Sequence, residues 1–287
     1  MKKNILQSVG VAVVALALLS IAVTDKAYAQ LEEPDVVEMP QPKTPLSEGF
    51  RNSLGFDAFV NNFGFGIGGY YSRVVGPYTQ LTFRTGITGI RDVSEQNFQS
   101  FLTGQQIIPN KYKRAFGFPF LFGVKQRLFA ERIDDSFRFF VSAGAGPAMA
   151  FTYPYINDAN NNGFRDFAAI PVGNGQTILD PIERVNDFFT GWKSGETHWG
   201  FNGEIKVGVD LGSTFGSQTT IEFGYFFYYF DQGLQIMEPF KPYGYTEPSD
   251  GFPGFPIEEQ NGQRNSFNAA QKYFGTPQIK FTFGGMW

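Results

Sequence analysis

The 287-residue chain carries 34 Phe, 34 Gly, one His, no Cys and a net charge of −4, yet its mean hydropathy is only −0.19. The missing thiols exclude disulfide, zinc–thiolate and Cys-nucleophile chemistry, and the acidic balance without any Lys/Arg run argues against a nucleic-acid partner. A helical membrane protein would need runs of about 20 apolar residues, which so many polar residues between the rings do not leave.

Lys2 and Lys3 precede an apolar stretch over residues 9–23, and Ala27-Tyr28-Ala29 closes it. A basic start, a short apolar core and a small-residue cleavage site read as a secretory signal peptide over 1–29. Interrupted by Gly10 and Ser20, the stretch is too short to span a bilayer comfortably. Residues 30–48 are acidic and hold Pro34, Pro40, Pro42 and Pro45, the composition of an extended or disordered periplasmic tail.

From residue 49 to 287 the pattern has period two. Leu54, Phe56, Ala58 and Val60 alternate with Ser53, Gly55 and Asp57; Leu81, Phe83 and Ile87 alternate with Gln80, Thr82 and Arg84. The same alternation recurs over 116–125, 199–211 and 278–284, and further candidates lie at 63–74, 138–151 and 219–230. That makes eight strands, longer than those of a typical soluble sheet and matched to tilted strands crossing a bilayer. The connections at 75–77, 129–135 and 212–217 are short, whereas those at 92–113, 152–197 and 231–277 are long. Asn61-Asn62 is the one short connection on the long side. Short turns at one end and long loops at the other describe a transmembrane antiparallel up-and-down β-barrel whose long loops face outside. A hairpin over 167–172 and 176–182 would raise the count to ten.

The export signal, eight alternating strands and the final Trp287 resemble the small outer-membrane β-barrel proteins of the OmpA/OmpX-like class. The resemblance implies a bacterial outer-membrane location, contact with outer-membrane lipid, and recognition of the C-terminal strand, through Trp287, by the barrel-assembly machinery.

Parity separates two faces. The ring-rich face points to acyl chains, and Tyr70, Tyr71, Tyr78, Trp199, Tyr228, Tyr229 and Trp287, near strand ends, suit interfacial girdles. The inward parity carries Asp57, Arg84, Lys125, Arg127, Glu204, Lys206, Asp210, Glu222 and Lys280. Eight strands enclose an interior just filled by side chains, so these groups are expected to form an ion-paired lumen network, plugged rather than open.

Asp158, Asn160, Asn162, Gly163 and Asp166 follow the spacing of an oxygen-rich Ca²⁺ loop, but Ala169 stands where the bidentate acid belongs. An Asn/Asp/Gly-rich exposed turn explains the same residues, so no cofactor is expected unless Ca²⁺ occupies this loop. Ser194, Glu196 and His198 share one parity and could form a rim relay, although neighbours on one strand face are spaced awkwardly for it. The G-x-G-x-x-G at 64–69 lacks the helix start that a nucleotide site needs. Residues 94–102 are either a short amphipathic helix or a loop. The expected function is a non-enzymatic outer-membrane protein whose loops, such as 240–255, bind an extracellular ligand or stabilise the envelope. A small-solute porin is the alternative, and a lipid-modifying rim enzyme is the third.

Overall fold

A computed structural model describes residues 42–99, 106–133, 136–173, 176–181, 183–242 and 264–287. The segment read as a leader over 1–29, and that read as a tail as far as residue 41, lie outside the described residues. Eight long strands close into one antiparallel barrel: β1 (Asn52–Asn61), β2 (Gly64–Val74), β3 (Thr79–Ile90), β4 (Lys113–Arg127), β5 (Phe137–Pro154), β6 (Glu196–Leu211), β7 (Ser217–Leu234) and β8 (Gln271–Met286). Each pairs with its sequence neighbours, and β8 returns to β1 with Ser53 opposite Met286 and Asn61 opposite Gln278. The main-chain N–H groups of Arg51 and Asn52 both donate to the Trp287 carbonyl at 2.9 Å, extending the seam to the last residue. Closure leaves no unpaired edge.

The sheet takes this form because every strand alternates. Leu54, Phe56, Val60, Phe65, Phe122, Phe201, Ile205, Phe223 and Phe283 all point outward and are 48–65% exposed. The intervening parity holds Asp57, Arg84, Glu204, Lys206, Glu222 and Lys280, all at most 8% exposed. This inverts the usual protein, in which large rings are buried and Lys, Glu, Arg and Asp almost never are.

The additional hairpin foreseen at 167–182 forms as Phe167–Gly173 with Gln176–Pro181, but as a separate two-stranded sheet within a loop. The barrel therefore stays at eight strands. Two shorter hairpins, Phe98–Gln99 with Gln106–Ile107 and Phe240–Pro242 with Arg264–Ser266, rise from the neighbouring loops. Residues 98–99 are thus strand, not helix, and 100–102 lie outside the described residues, as do 243–255 of the long loop before β8.

Residues 42–48 do not extend away as an open tail. They belong to the barrel unit: Thr44 and Ser47 exchange side-chain-to-backbone hydrogen bonds, Phe50 N–H donates to the Pro45 carbonyl at 2.8 Å, and Arg127 Nη1 donates to the Lys43 carbonyl at 2.9 Å. Pro45 is buried. Phe50 packs beside Phe215, Val74 and Met286 in a small apolar cluster at the short-turn end.

Candidate functional site

Parity brings six of the foreseen lumen residues into one circuit. Arg84 on β3 donates from Nη1 and Nη2 to both Glu222 carboxylate oxygens, at 2.9 and 2.8 Å, and from Nη1 to Asp57 Oδ2 at 3.2 Å. Lys206 Nζ lies 2.9 Å from Glu222 Oε2 and 2.7 Å from Glu204 Oε1. Lys280 Nζ completes the ring, 3.4 Å from Glu204 Oε2 and 4.0 Å from Asp57 Oδ2. Positive and negative groups alternate around the loop, three of each, so every charge has an opposite charge on both sides. The Thr282 hydroxyl also donates to Asp57. The fork of Arg84 suits this position, because a planar guanidinium can hold one carboxylate bidentately and still reach a second.

One layer nearer the short turns, Lys125 Nζ lies 2.7 Å from both Asp210 oxygens. Asp210 also accepts from Thr220 and, at 3.2 Å, from Gln218 Nε2. Gln218 Oε1 accepts in turn from Tyr70 OH and Ser53 Oγ, at 2.8 and 3.0 Å. Arg138, whose parity matches Ser142, also faces inward at 4% exposed and was not among the foreseen residues; its guanidinium stacks on Phe215, 4.7 Å from the ring centre. Arg127 is half-buried at the turn end.

Above the ionic ring the lumen is apolar. Leu121, Phe226, Tyr228, Phe230, Phe274 and Ile236 belong to one buried cluster, with Phe226 edge-on to Tyr228 at 4.7 Å. Tyr70 and Tyr228 are therefore not girdle residues: they are 4% and 0% exposed inside the barrel. Each is followed by a second Tyr, and period two sends Tyr71 and Tyr229 outward instead. Glycine makes the room. A Cβ on Gly66 would stand 2.1 Å from the Phe59 ring, and one on Gly117 would stand 2.6 Å from the Tyr228 hydroxyl. Between the ring of charges and this aromatic layer remains a cavity of ≈ 10 Å³, room for about one water. Its lining includes Thr88 Oγ1 and Gln278 Oε1, which have no partner among the described residues.

At the loop end the Ca²⁺-loop residues fold into a tight turn. Asp158 accepts from the N–H groups of Asn162 and Gly163, both at 3.0 Å, and Asn161 and Gly163 adopt positive φ of 55° and 83°. The amide groups of Asn160 and Asn162 donate to Asp166 at 2.7 and 3.0 Å, so the turn's own side chains satisfy one another. Glu183 is buried beside this turn and accepts from the N–H groups of Ala159 and Asp166; burial raises its pKa. Glu238 accepts from the Arg165 N–H at 3.0 Å. Burial, with the nearby Glu183 and Asp158 carboxylates, pushes it up to about 7.

The rim relay does not assemble. Ser194 ends a 3₁₀ turn (Trp192–Ser194) outside β6 and shares no strand parity with Glu196. His198 Nε2 meets Thr152 Oγ1 at 2.9 Å, and Glu196 Oε2 lies 3.8 Å from the same nitrogen. A base oriented for a hydroxyl needs its acid on the other ring nitrogen. Glu196 is instead paired with Lys113 at 2.8 Å.

No family model matches this chain, and no curated protein matches it. Among solved structures, the crystal structure of the N-terminal β-barrel domain of Pseudomonas aeruginosa OprF is similar at 10% identity and a TM-score of 0.30, over 82% of this chain and 98% of that one.

Proposed function

We propose that this chain is an integral protein of the bacterial outer membrane, a bilayer-spanning barrel with a filled lumen whose long loops meet the cell exterior. One observation carries the reading: the outer wall of the barrel exposes rings and aliphatic side chains, while charged groups are buried in its lumen. In water, a wall of exposed Phe, Ile, Val and Trp far exceeds the apolar patch of a few hundred Å² that a soluble monomer tolerates. In hydrocarbon the same wall is solvated, and a closed barrel satisfies every backbone group internally. The export segment read over 1–29 supports the same location, and Trp287 at the seam supports engagement of the assembly machinery.

The role proposed is exerted through the loops, in envelope stabilisation or ligand contact, rather than through catalysis. It is also non-conducting, because the ionic ring is stacked beneath a layer of packed rings. Two measurements test this. Fractionation should leave the folded protein in the outer membrane with heat-modifiable gel mobility; a monodisperse folded protein in detergent-free buffer overturns the reading. In planar bilayers the purified barrel should give no steady conductance, and large stable steps would overturn the plugged lumen.

A further inference from the structure

The connection between β5 and β6 does not stand away from the barrel. Arg114 on β4 donates from its two Nη groups to the carbonyls of Asn186 and Asp187, both at 2.8 Å, and Asn186 N–H donates to the Tyr155 carbonyl at 2.9 Å. Asp187 accepts from the N–H groups of Phe189 and Thr190 at 2.8 and 2.7 Å, fixing a turn. These bonds lay residues 186–194 against the outside of the wall. Phe116 and Phe151 have outward parity, as does Tyr153, which is nonetheless fully buried. Trp192 meets Phe151 and Tyr153 edge-on at 6.4 and 6.1 Å, and Phe188 meets Phe116 at 5.7 Å. Even so, Phe188, Phe189 and Trp192 remain 49%, 69% and 44% exposed. The turn is firmly held, yet among the described residues nothing covers the outward sides of its three rings.

Its height identifies what does. Tyr153 stands sixteen residues beyond Phe137, the turn-end residue of β5. At about 3.3 Å per residue that is about 53 Å of strand, or about 40 Å of height at the tilt of about 40° common to such barrels. The apolar band of a membrane barrel is about 25 Å tall, and headgroups extend the bilayer to about 40–45 Å. With Phe137 at the outer edge of the periplasmic headgroup layer, this height carries the rings past the apolar band and into the opposite headgroup layer, where amphipathic rings are enriched. Lys193 on the same turn is exposed, a cation that suits a layer of lipid phosphates.

We infer that residues 186–194 are an interfacial anchor, a loop folded onto the barrel wall that seats Phe188, Phe189 and Trp192 in the headgroup layer of the outer leaflet, above the acyl chains. The inference rests on the bilayer-spanning reading, and the test separates the two. Trp192 is left as the single tryptophan by Trp199→Phe with Trp287→Phe. A control carries Ile205→Trp, at mid-height on the outer wall, with all three native tryptophans replaced by Phe. Both are folded into phosphatidylcholine vesicles carrying spin labels either near the headgroup or deep in the chains. Trp192 should lose most of its emission to the shallow label and little to the deep one, with the reverse for the Ile205→Trp control. If the control is quenched but Trp192 responds only to aqueous iodide, the anchor is wrong and the span stands. If lipid labels quench neither, the span itself is wrong.

Discussion

Neutralising Glu222 decides whether the lumen is dry. Glu222→Gln keeps the volume of the side chain and removes its charge, so no packing defect confuses the result. In the barrel Glu222 is fully buried and makes three contacts of 2.8–2.9 Å to two cations. After substitution Arg84 retains only Asp57, Lys206 retains only Glu204, and one of the three anions is lost against three cations. Removing one partner of a buried pair typically costs about 3–5 kcal/mol, because the remaining charge is left uncompensated. The same change in a water-filled channel would cost about 0–1 kcal/mol, since solvent would take over from the carboxylate. Urea titration of the vesicle-folded protein, followed by heat-modifiable mobility, reads the difference directly. Adding Lys206→Met should return part of the loss, with a coupling of about 0.5–3 kcal/mol between the two sites. A loss below about 1 kcal/mol for Glu222→Gln alone would refute the sealed ionic ring.

Two further changes probe the other surfaces. Ile205 is 60% exposed near mid-height on the outer wall, so Ile205→Arg should cost about 2–4 kcal/mol in vesicles; an effect within about 0.5 kcal/mol, as at an ordinary aqueous surface, would contradict lipid contact. Glu238, with its pKa raised from 4.5 to about 7, is protonated more readily folded than unfolded. Its penalty is absent below pH 4.5, grows as pH rises and is complete above about 7, where it amounts to about 3 kcal/mol. Hydrogen exchange around 165 and 238 should therefore slow as pH falls from 8 to 5 after correction for intrinsic rates, and Glu238→Gln should flatten that dependence.

Most of the architecture was legible because a barrel makes period two a global rule. Once Leu54 and Phe56 face outward, Asp57 must face inward, and the same logic reaches Lys280 without any knowledge of the other strands. Arg138 was legible by the same rule, sharing the parity of Phe140 and Ser142. Chemical type was a poorer guide than parity: adjacent tyrosines at 70–71 and 228–229 looked equally suited to a girdle, yet one of each pair enters the lumen. What periodicity cannot give is contact across the barrel. Glu222 lies directly opposite Lys280 in strand register, but it bonds Arg84 from four strands away, on the far side of the barrel, while Lys280 turns to Glu204 and Asp57. Such pairings depend on stagger and on side-chain reach over the lumen, neither of which is written locally. The turn-end plug and the wall-bound loop were hidden for a related reason: polar, Pro-rich or loop-like composition predicts exposure, whereas here long-range hydrogen bonds to Arg127 and Arg114 fold both segments back.

The lumen is sealed three times by different physics. Phe215, Val74 and Met286 close the turn end by apolar contact, the six-charge circuit closes the middle by ion pairing, and the Phe226–Tyr228–Phe230 layer closes the loop end. A ligand pulling on one loop could disturb the uppermost layer, but the circuit below is anchored on β1, β3, β6, β7 and β8, and displacing any member unbalances two others. Opening a path would require all three seals to yield together, and no single loop touches all of them. On the proposed reading the lumen works as a stiff pin that fixes the height and spacing of the loops, and contact with the surroundings falls to the loops above it.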